Sequence, residues 1–469
     1  MNKITKITKT LVCATALGGL FATATVAPAL FGAQTAQAQE EDKRKFEDRK
    51  TRRTPALREK VYKVLGKAQE FADAENWGEA LTVLEEGLGS KLDSLNSYEQ
   101  AQYYNFKGFL YYSQEMFPQA IKNYNTILRL QNIPAAMEDN IVYTLAQLYF
   151  VTENYAKSIE LMDRWMKYQE KLTAQPLVLV GQAYYSLGSA DNVNVAKKVG
   201  YYKKGISYIE KAMNLYKTDG KEPKENWYLL LRVMYFELKN NDKVIDILKT
   251  LVKKWPKKEY WTQLAGMYGE VASDDKNSEK KKKTYELLQL ATYETAYRQG
   301  FLIKNNELVN MSQLYLYHST PHRAANVLEK GIKKGVVEKN KKNWEALAQS
   351  HINAQNYRDS LGPLLNAAKQ SKDGNLYMKL GQVYMQLDEY TQAAKYLGLA
   401  QQKGKLKRPD TAAIVQGMAY FNLGKLDDAK KSFEVALKHK RSKKMAKQWI
   451  SYLDKEKKRL KDVKEYLGG

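Results

Sequence analysis

The chain has 469 residues, with 76 Lys and Arg against 52 Asp and Glu, for a formal charge of +24. Its length suffices to bury a sizeable core without cross-links, and its only cysteine, Cys13, excludes an intramolecular disulfide. Beyond the amino-terminal segment no stretch is apolar enough to cross a membrane, which excludes a multi-span membrane protein.

Lys3, Lys6 and Lys9 precede an Ala-rich apolar stretch from Leu11 to Leu30, and Ala36-Gln37-Ala38 follows as a small-x-small site. This is the pattern of a cleavable export signal over residues 1–38. Thr15, Gly18, Gly19, Thr23, Thr25 and Pro28 interrupt the apolar run and weigh against a membrane anchor. Cys13 lies inside the run, whereas a lipidated cysteine would close it. A mature chain starting at Gln39 is expected, soluble or peripherally attached in a bacterial periplasm. Loss of the three lysines lowers its charge from +24 to +21. Export argues against nucleic acid as a target. The positive charge then points to anionic lipid, an anionic envelope polymer or an acidic protein face, or it serves solubility and helix-dipole complementarity. Its peaks are Lys43–Arg53, Lys280–Lys283, Lys333–Lys342 and Lys438–Arg459.

Residues 39–56 read as a charged, disordered leader. From Leu57 onward the apolar spacing is helical and a pattern of side-chain sizes recurs. The first copy is Val64, Ala68, Phe71, Trp77, Ala80 and Leu84; the second is Tyr104, Gly108, Tyr111, Phe117, Ala120 and Tyr124. The third has Val142, Ala146, Tyr149, Tyr155, Ser158 and Met162. The fourth starts with Leu177, Gly181 and Tyr184 and resumes at Tyr202, Gly205 and Ile209 after an insertion around 189–198, which either extends both helices or forms a loop. The fifth has Tyr228, Tyr235, Val244 and Leu248, with Arg232 where a small residue belongs. The sixth has Trp261, Ala265 and Tyr268, then a charged insertion, 273–283, before a second helix expected over Tyr285–Tyr297. The seventh has Leu308, Ser312, Tyr315, Ala324 and Leu328, and the eighth Trp344, Ala348, His351, Tyr357, Ser360 and Leu364. The ninth, Tyr377, Leu380, Gly381, Tyr384, Tyr390, Ala393, Leu397 and Ala400, is the clearest. The tenth has Gly417, Tyr420, Leu426, Ala429, Phe433 and Ala436. Small residues at the eighth and twentieth positions let helix axes approach, and larger ones around them fill the space.

This pattern resembles the tetratricopeptide repeat, a helix-turn-helix unit of about 34 residues. The resemblance implies an all-α, right-handed superhelical solenoid of antiparallel helix pairs, continuous over residues 57–455 with about ten units. A capping helix bearing Met445, Trp449 and Leu453 on one face would close it, followed by a basic tail over 456–469. In this family the first helix of each pair lines a concave groove. Carried onto this chain, the protein-binding groove comprises Asn105, Phe109, Tyr112, Tyr143, Gln147, Phe150, Gln182 and Tyr185, and further on Met378, Gln382, Met385, Met418 and Phe421. Amides that pair with a peptide backbone, beside aromatics that supply burial, suit an extended peptide or a partner helix. The same aromatics could instead pack across the turns of a tight superhelix. The family's carboxylate clamp wants Lys or Asn where Tyr143 and Val178 stand, which argues against a terminal-carboxylate ligand.

Chemistry-bearing motifs are not evident. His318 and His322 are separated by Pro321, and no Cys or acidic cluster joins them as metal ligands. His351 occupies a packing position. No catalytic, cofactor-binding or metal-binding residue is expected, and the chain does not read as an enzyme. Taken whole, it resembles the tetratricopeptide proteins that accompany energy-transducing TonB systems in Gram-negative bacteria, which share a signal peptide, a similar length and repeats throughout. That resemblance implies a periplasmic scaffold or adaptor that contacts the inner-membrane energy-transducing complex and assists iron-siderophore or other nutrient uptake. The alternative is an envelope-assembly factor that binds peptidoglycan, polysaccharide machinery or an anionic membrane surface.

Overall fold

A computed structural model describes residues 54–467. The export signal, nearly all of the charged leader and the basic peak Lys43–Arg53 lie outside the described residues. The chain divides into two compact units at Pro256 and Lys257, and each is described by itself.

The first unit pairs α1 (Glu59–Asp73) with α2 (Trp77–Leu88), α3 (Ser97–Ser113) with α4 (Phe117–Ile127), and α5 (Ala135–Val151) with α6 (Tyr155–Lys167). It continues with α7 (Ala174–Gly188) on α8 (Val195–Thr218) and α9 (Glu225–Glu237) on α10 (Asn241–Lys254). The second unit pairs α11 (Lys258–Ser273) with α12 (Glu279–Arg298), α13 (Asn305–Tyr317) with α14 (Pro321–Lys333), and α15 (Lys341–Asn353) with α16 (Tyr357–Gln370). There follow α17 (Asn375–Gln386) on α18 (Tyr390–Lys403), α19 (Pro409–Asn422) on α20 (Leu426–Leu437), and a last helix, α21 (Lys443–Tyr466). Among the described residues every regular element is helical. The all-α architecture of antiparallel pairs is as expected.

The size pattern works as its spacing implies. A Cβ placed on Gly381 would lie 2.6 Å from Leu397 Cγ, and one on Gly417 would lie 2.5 Å from Phe433 Cε1. In these two pairs the first helix meets the second where its side chain is missing, and the large residue sixteen positions on fills the gap. Arg232, at the corresponding place in α9, is half-buried.

A second regularity concerns how the first helices end. Glu75, Glu115, Glu153, Lys239, Ser319, Gln355, Asp388 and Gly424 all have positive φ, between 54° and 71°. In seven of these turns the next residue's N–H bonds back to a carbonyl five residues earlier, as Asn356 does to His351 at 2.9 Å and Lys425 to Tyr420 at 2.9 Å. This left-handed cap satisfies orphan carbonyls and reverses the chain within a few residues. The two pairs with insertions, α7–α8 and α11–α12, are the ones without it.

Both insertions are partly helical. In the first, α7 runs to Gly188 and α8 starts at Val195, leaving residues 189–194 as the connection. Asn194 caps α8 by accepting from the Lys197 N–H at 2.9 Å. In the second, α12 begins at Glu279, six residues before the expected start, because Ser278 accepts from the Lys281 N–H at 3.3 Å. Asn277 donates to the last-turn carbonyl of Val271 at 2.8 Å and closes α11.

The last helix is longer than the sequence suggested. It continues through most of the expected tail, to Tyr466. Its packed side carries Ala446 and Leu453, both fully buried, with Trp449 and Ile450 against the same core. Met445, expected on that side, is 52% exposed, because it precedes Ala446 by one residue, a rotation of about 100° away from the Ala446–Leu453 line.

Candidate functional site

In the first unit the residues expected to line a groove fall on α3, α5 and α7. Ring contacts recur there between the end of a first helix and its own second helix. Tyr112 lies 6.1 Å from Phe117, Phe150 lies 5.4 Å from Tyr155, and Tyr185 stacks on Tyr202 at 6.1 Å. Tyr143 packs on Trp165 at 4.8 Å, and Phe109 meets Trp77 edge-on at 6.5 Å. Phe150, Gln182 and Tyr185 are buried; Asn105, Phe109, Tyr112, Tyr143 and Gln147 are half-buried. Burial pushes the Tyr112, Tyr143 and Tyr185 hydroxyls above the ordinary tyrosine range. Much of this aromatic surface is thus consumed inside each helix pair.

The second unit is different at its carboxy-terminal end. Here α17, α19 and α21 are successive first helices, each half-buried along the face in question. Met378, Gln382 and Met385 on α17 are half-buried, and Met385 packs against the small cluster of Ala393, Ala394 and Ala419. Met418 and Phe421 on α19 are also half-buried. Phe421 lies 5.7 Å from Trp449 and 5.4 Å from Tyr452 of α21. These three rings and Gln448 line an open cavity of about 400 Å³. Sequence reasoning placed Trp449 in the cap but assigned neither Tyr452 nor Gln448 to the groove. The signal was available in the continuing helical period: α21 stands where the first helix of an eleventh pair would stand.

Charge contacts hold this end together. Asp410, in the first turn of α19, accepts from Arg408 Nε and Nη2, both at 3.0 Å. Its other neighbour is Ser442, the residue before α21, whose hydroxyl donates to Asp410 at 2.5 Å in a buried contact. The Arg408 guanidinium beside it, with the Ser442 hydroxyl, holds the Asp410 carboxyl far below the usual carboxylate range. Along the helix axes, Lys430 pairs with Asp454 at 3.0 Å and Lys457 with Asp427. The aromatic cavity therefore rests on a helix fixed to both α19 and α20.

The remaining candidates are placed as follows. His351 is buried and its Nε2 lies 3.0 Å from Glu329 Oε1, a packing role. His318 ends α13, and the His322 ring nitrogen lies 3.4 Å from the Asn356 amide. Among the described residues no three His, Cys, Asp or Glu side chains gather into a metal-ligating group. Lys280–Lys283 occupy the first turn of α12, the positive end of its dipole, so dipole complementarity does not account for them. Only Lys282 there has acidic partners, Glu279 at 3.2 Å and Asp275 at 3.5 Å.

Residues 374–402 and 411–442, which cover α17 to α20, match the tetratricopeptide repeat family. These two helix pairs are tetratricopeptide repeats. The other helix pairs of both units repeat the same antiparallel arrangement, the fold class of a tetratricopeptide-repeat solenoid. Among solved structures, a tetratricopeptide repeat protein from Parabacteroides merdae is 14% identical, with 62% of this chain and 99% of that one covered and a TM-score of 0.34. The TPR2AB domain of yeast Sti1, solved as a complex with pHSP90, is 13% identical over 62% of this chain and 100% of that one, with a TM-score of 0.33. The MamA protein is 19% identical over 39% of this chain and 94% of that one, at 0.31. No curated protein gives a significant match.

Proposed function

We propose that this tetratricopeptide-repeat protein is a periplasmic protein-binding scaffold that assists TonB-dependent uptake of iron-siderophore or other nutrients. The observation that carries the binding role is the open aromatic cavity of Phe421, Trp449 and Tyr452 at the end of the α17–α19–α21 face. Exposed aromatic surface beside amide and thioether side chains is what an extended peptide or a partner helix buries at low entropic cost. The binding partner would be a periplasmic segment of the inner-membrane energy-transducing complex. The export pattern of residues 1–38 and repeats through the rest of the chain support this reading. The protein would organise its partners without turning over a substrate.

The alternative, an envelope-assembly factor that binds peptidoglycan, polysaccharide machinery or an anionic surface, draws on the lysines of α12 that no dipole or complete set of ion pairs explains. Salt separates the two readings, because binding to an anionic polymer weakens steeply as ionic strength rises. Affinity capture with the protein from periplasm and membranes, at low and high salt, tests the proposal. The scaffold reading expects TonB-system proteins at both salts and their loss with Phe421→Ala. Recovery of cell-wall polymer alone, released by high salt, would overturn it in favour of the alternative.

A further inference from the structure

Sixteen large apolar side chains are exposed among the described residues, and six of them, Met445, Tyr452, Leu460, Val463, Tyr466 and Leu467, lie on α21 or at its end. One helix thus holds over a third of this surface. Leu453 is its last buried residue. Beyond it the helix runs on for thirteen residues, roughly 20 Å at the usual rise.

The overhang is amphipathic and carries more cations than anions. At 3.6 residues per turn, Leu460, Val463, Tyr466 and Leu467 fall within an arc of about 120°. Met445 and Tyr452 fall on the same arc, nearer the body. Lys464 lies just beyond one edge and Lys455 just beyond the other, with Arg459 inside the arc; Lys457, on the same side as Lys464, is paired with Asp427. Glu465 sits near the opposite pole together with Lys458 and Lys461, and Asp462 lies beside Lys455. The single acid within the arc, Glu456, is held by Arg459 at 2.6 and 2.9 Å. Over Lys443–Tyr466 there are nine Lys or Arg against four Asp or Glu.

We propose that α21 docks this protein on an anionic bilayer surface, its overhang lying in the headgroup plane with the Leu460–Leu467 face inward. Three observations favour a bilayer over other occupants. Basic residues at the edges of an apolar arc can extend their heads to lipid phosphates while their stems stay in the apolar layer. A second copy packed on this face would set Lys455 and Lys464 against lysine. A partner helix would find only Leu460, Val463 and Leu467 at heptad spacing beyond the body, too short a seam for a stable coiled coil. No described helix is long and apolar enough to cross a membrane, so α21 lies on the surface without spanning it.

The test is co-sedimentation with vesicles of phosphatidylcholine alone or with about 30% phosphatidylglycerol. The protein is used both as the full chain and starting at Gln39, so that the apolar segment Leu11–Leu30 cannot supply the binding. Both forms are expected to pellet with anionic vesicles at least tenfold more than with neutral ones. The double variant Leu460→Glu/Val463→Glu, at exposed positions, is expected to lose that preference while keeping its helical circular dichroism and its unfolding midpoint. Lys455→Gln/Lys464→Gln should weaken binding several-fold, as should 0.5 M salt. Equal pelleting of wild type and the double variant overturns the proposal, as does failure of the Gln39 form to pellet. Concentration-dependent dimerisation abolished by the same double variant would assign the face to a second copy and overturn it as well.

Discussion

The ring of Phe433 occupies the place where a side chain at Gly417 would begin: a Cβ there would lie 2.5 to 2.7 Å from three ring carbons. Phe433 cannot yield easily, since it is fully buried and stacked on Trp449 at 5.3 Å. Helix propensity alone predicts that Gly417→Ala stabilises α19 by about 1 kcal/mol. The contact predicts the opposite sign, a loss of about 1–3 kcal/mol from overpacking. Urea unfolding decides between them. Phe433→Leu, introduced with Gly417→Ala, should recover part of the loss, and a double-mutant cycle would measure the coupling.

Gln355 and Gly424 hold the same left-handed position in their turns, with φ of 60° and 71°. Only glycine adopts this conformation without steric cost. Gln355→Gly is expected to raise stability by about 0.5–1 kcal/mol, and Gly424→Ala to lower it by about 1 kcal/mol. Thermal or urea midpoints of the two variants should move in opposite directions. If both fall, the turn is held by contacts other than the backbone conformation.

Asp410 and Glu99 tie distant parts of the chain together through carboxylates that are kept charged. Glu99 is buried and accepts from Arg58 Nε at 2.8 and 3.0 Å, fixing the start of α1 to α3. The Arg58 guanidinium holds its carboxyl below the ordinary range, as Arg408 does for Asp410. A carboxyl depressed in the folded state contributes stability that is complete above its unfolded value, near pH 4, and is lost as pH falls through the lower folded value. Wild-type stability should therefore drop as pH falls below about 4. Asp410→Asn should cost about 2 kcal/mol at pH 7 and flatten that acid dependence. An unchanged pH profile in the variant would remove Asp410 from this account.

Aromatic residues on the two candidate faces should behave differently on truncation. Phe150→Ala opens a cavity inside α5–α6 and is expected to cost about 3–5 kcal/mol. Tyr452→Ala, at a side chain 51% exposed, should change stability by no more than about 0.5 kcal/mol. If the Phe421–Trp449–Tyr452 cavity binds the partner, Tyr452→Ala should reduce its capture with the unfolding midpoint unchanged. A groove centred on the first unit would leave that capture intact.

Much of the fold was legible before any coordinates, because it rests on local size. Gly381 with Leu397 and Gly417 with Phe433 are sixteen residues apart, within one helix pair, so spacing alone announces who meets whom. The ten pairs, the closing helix and the packing role of His351 follow from that periodicity. Positions on helix faces were legible too, but not their exposure. Tyr185 and Phe150 carry groove spacing and yet are buried, since each finds a ring on its own second helix.

What the sequence determined by itself is the repeat: small residues at fixed intervals allow close helix approach, and the large residue opposite fills the space. What the tertiary structure decided is which surfaces remain after packing. Contacts such as Arg58 with Glu99 and Ser442 with Asp410 join residues 41 and 32 positions apart. They arise only once neighbouring pairs stack, and the second of them orients α19 and α21, which present Phe421, Trp449 and Tyr452. Whether an aromatic on the right face stays open depends on its neighbour across the stack, a relation that no local spacing encodes.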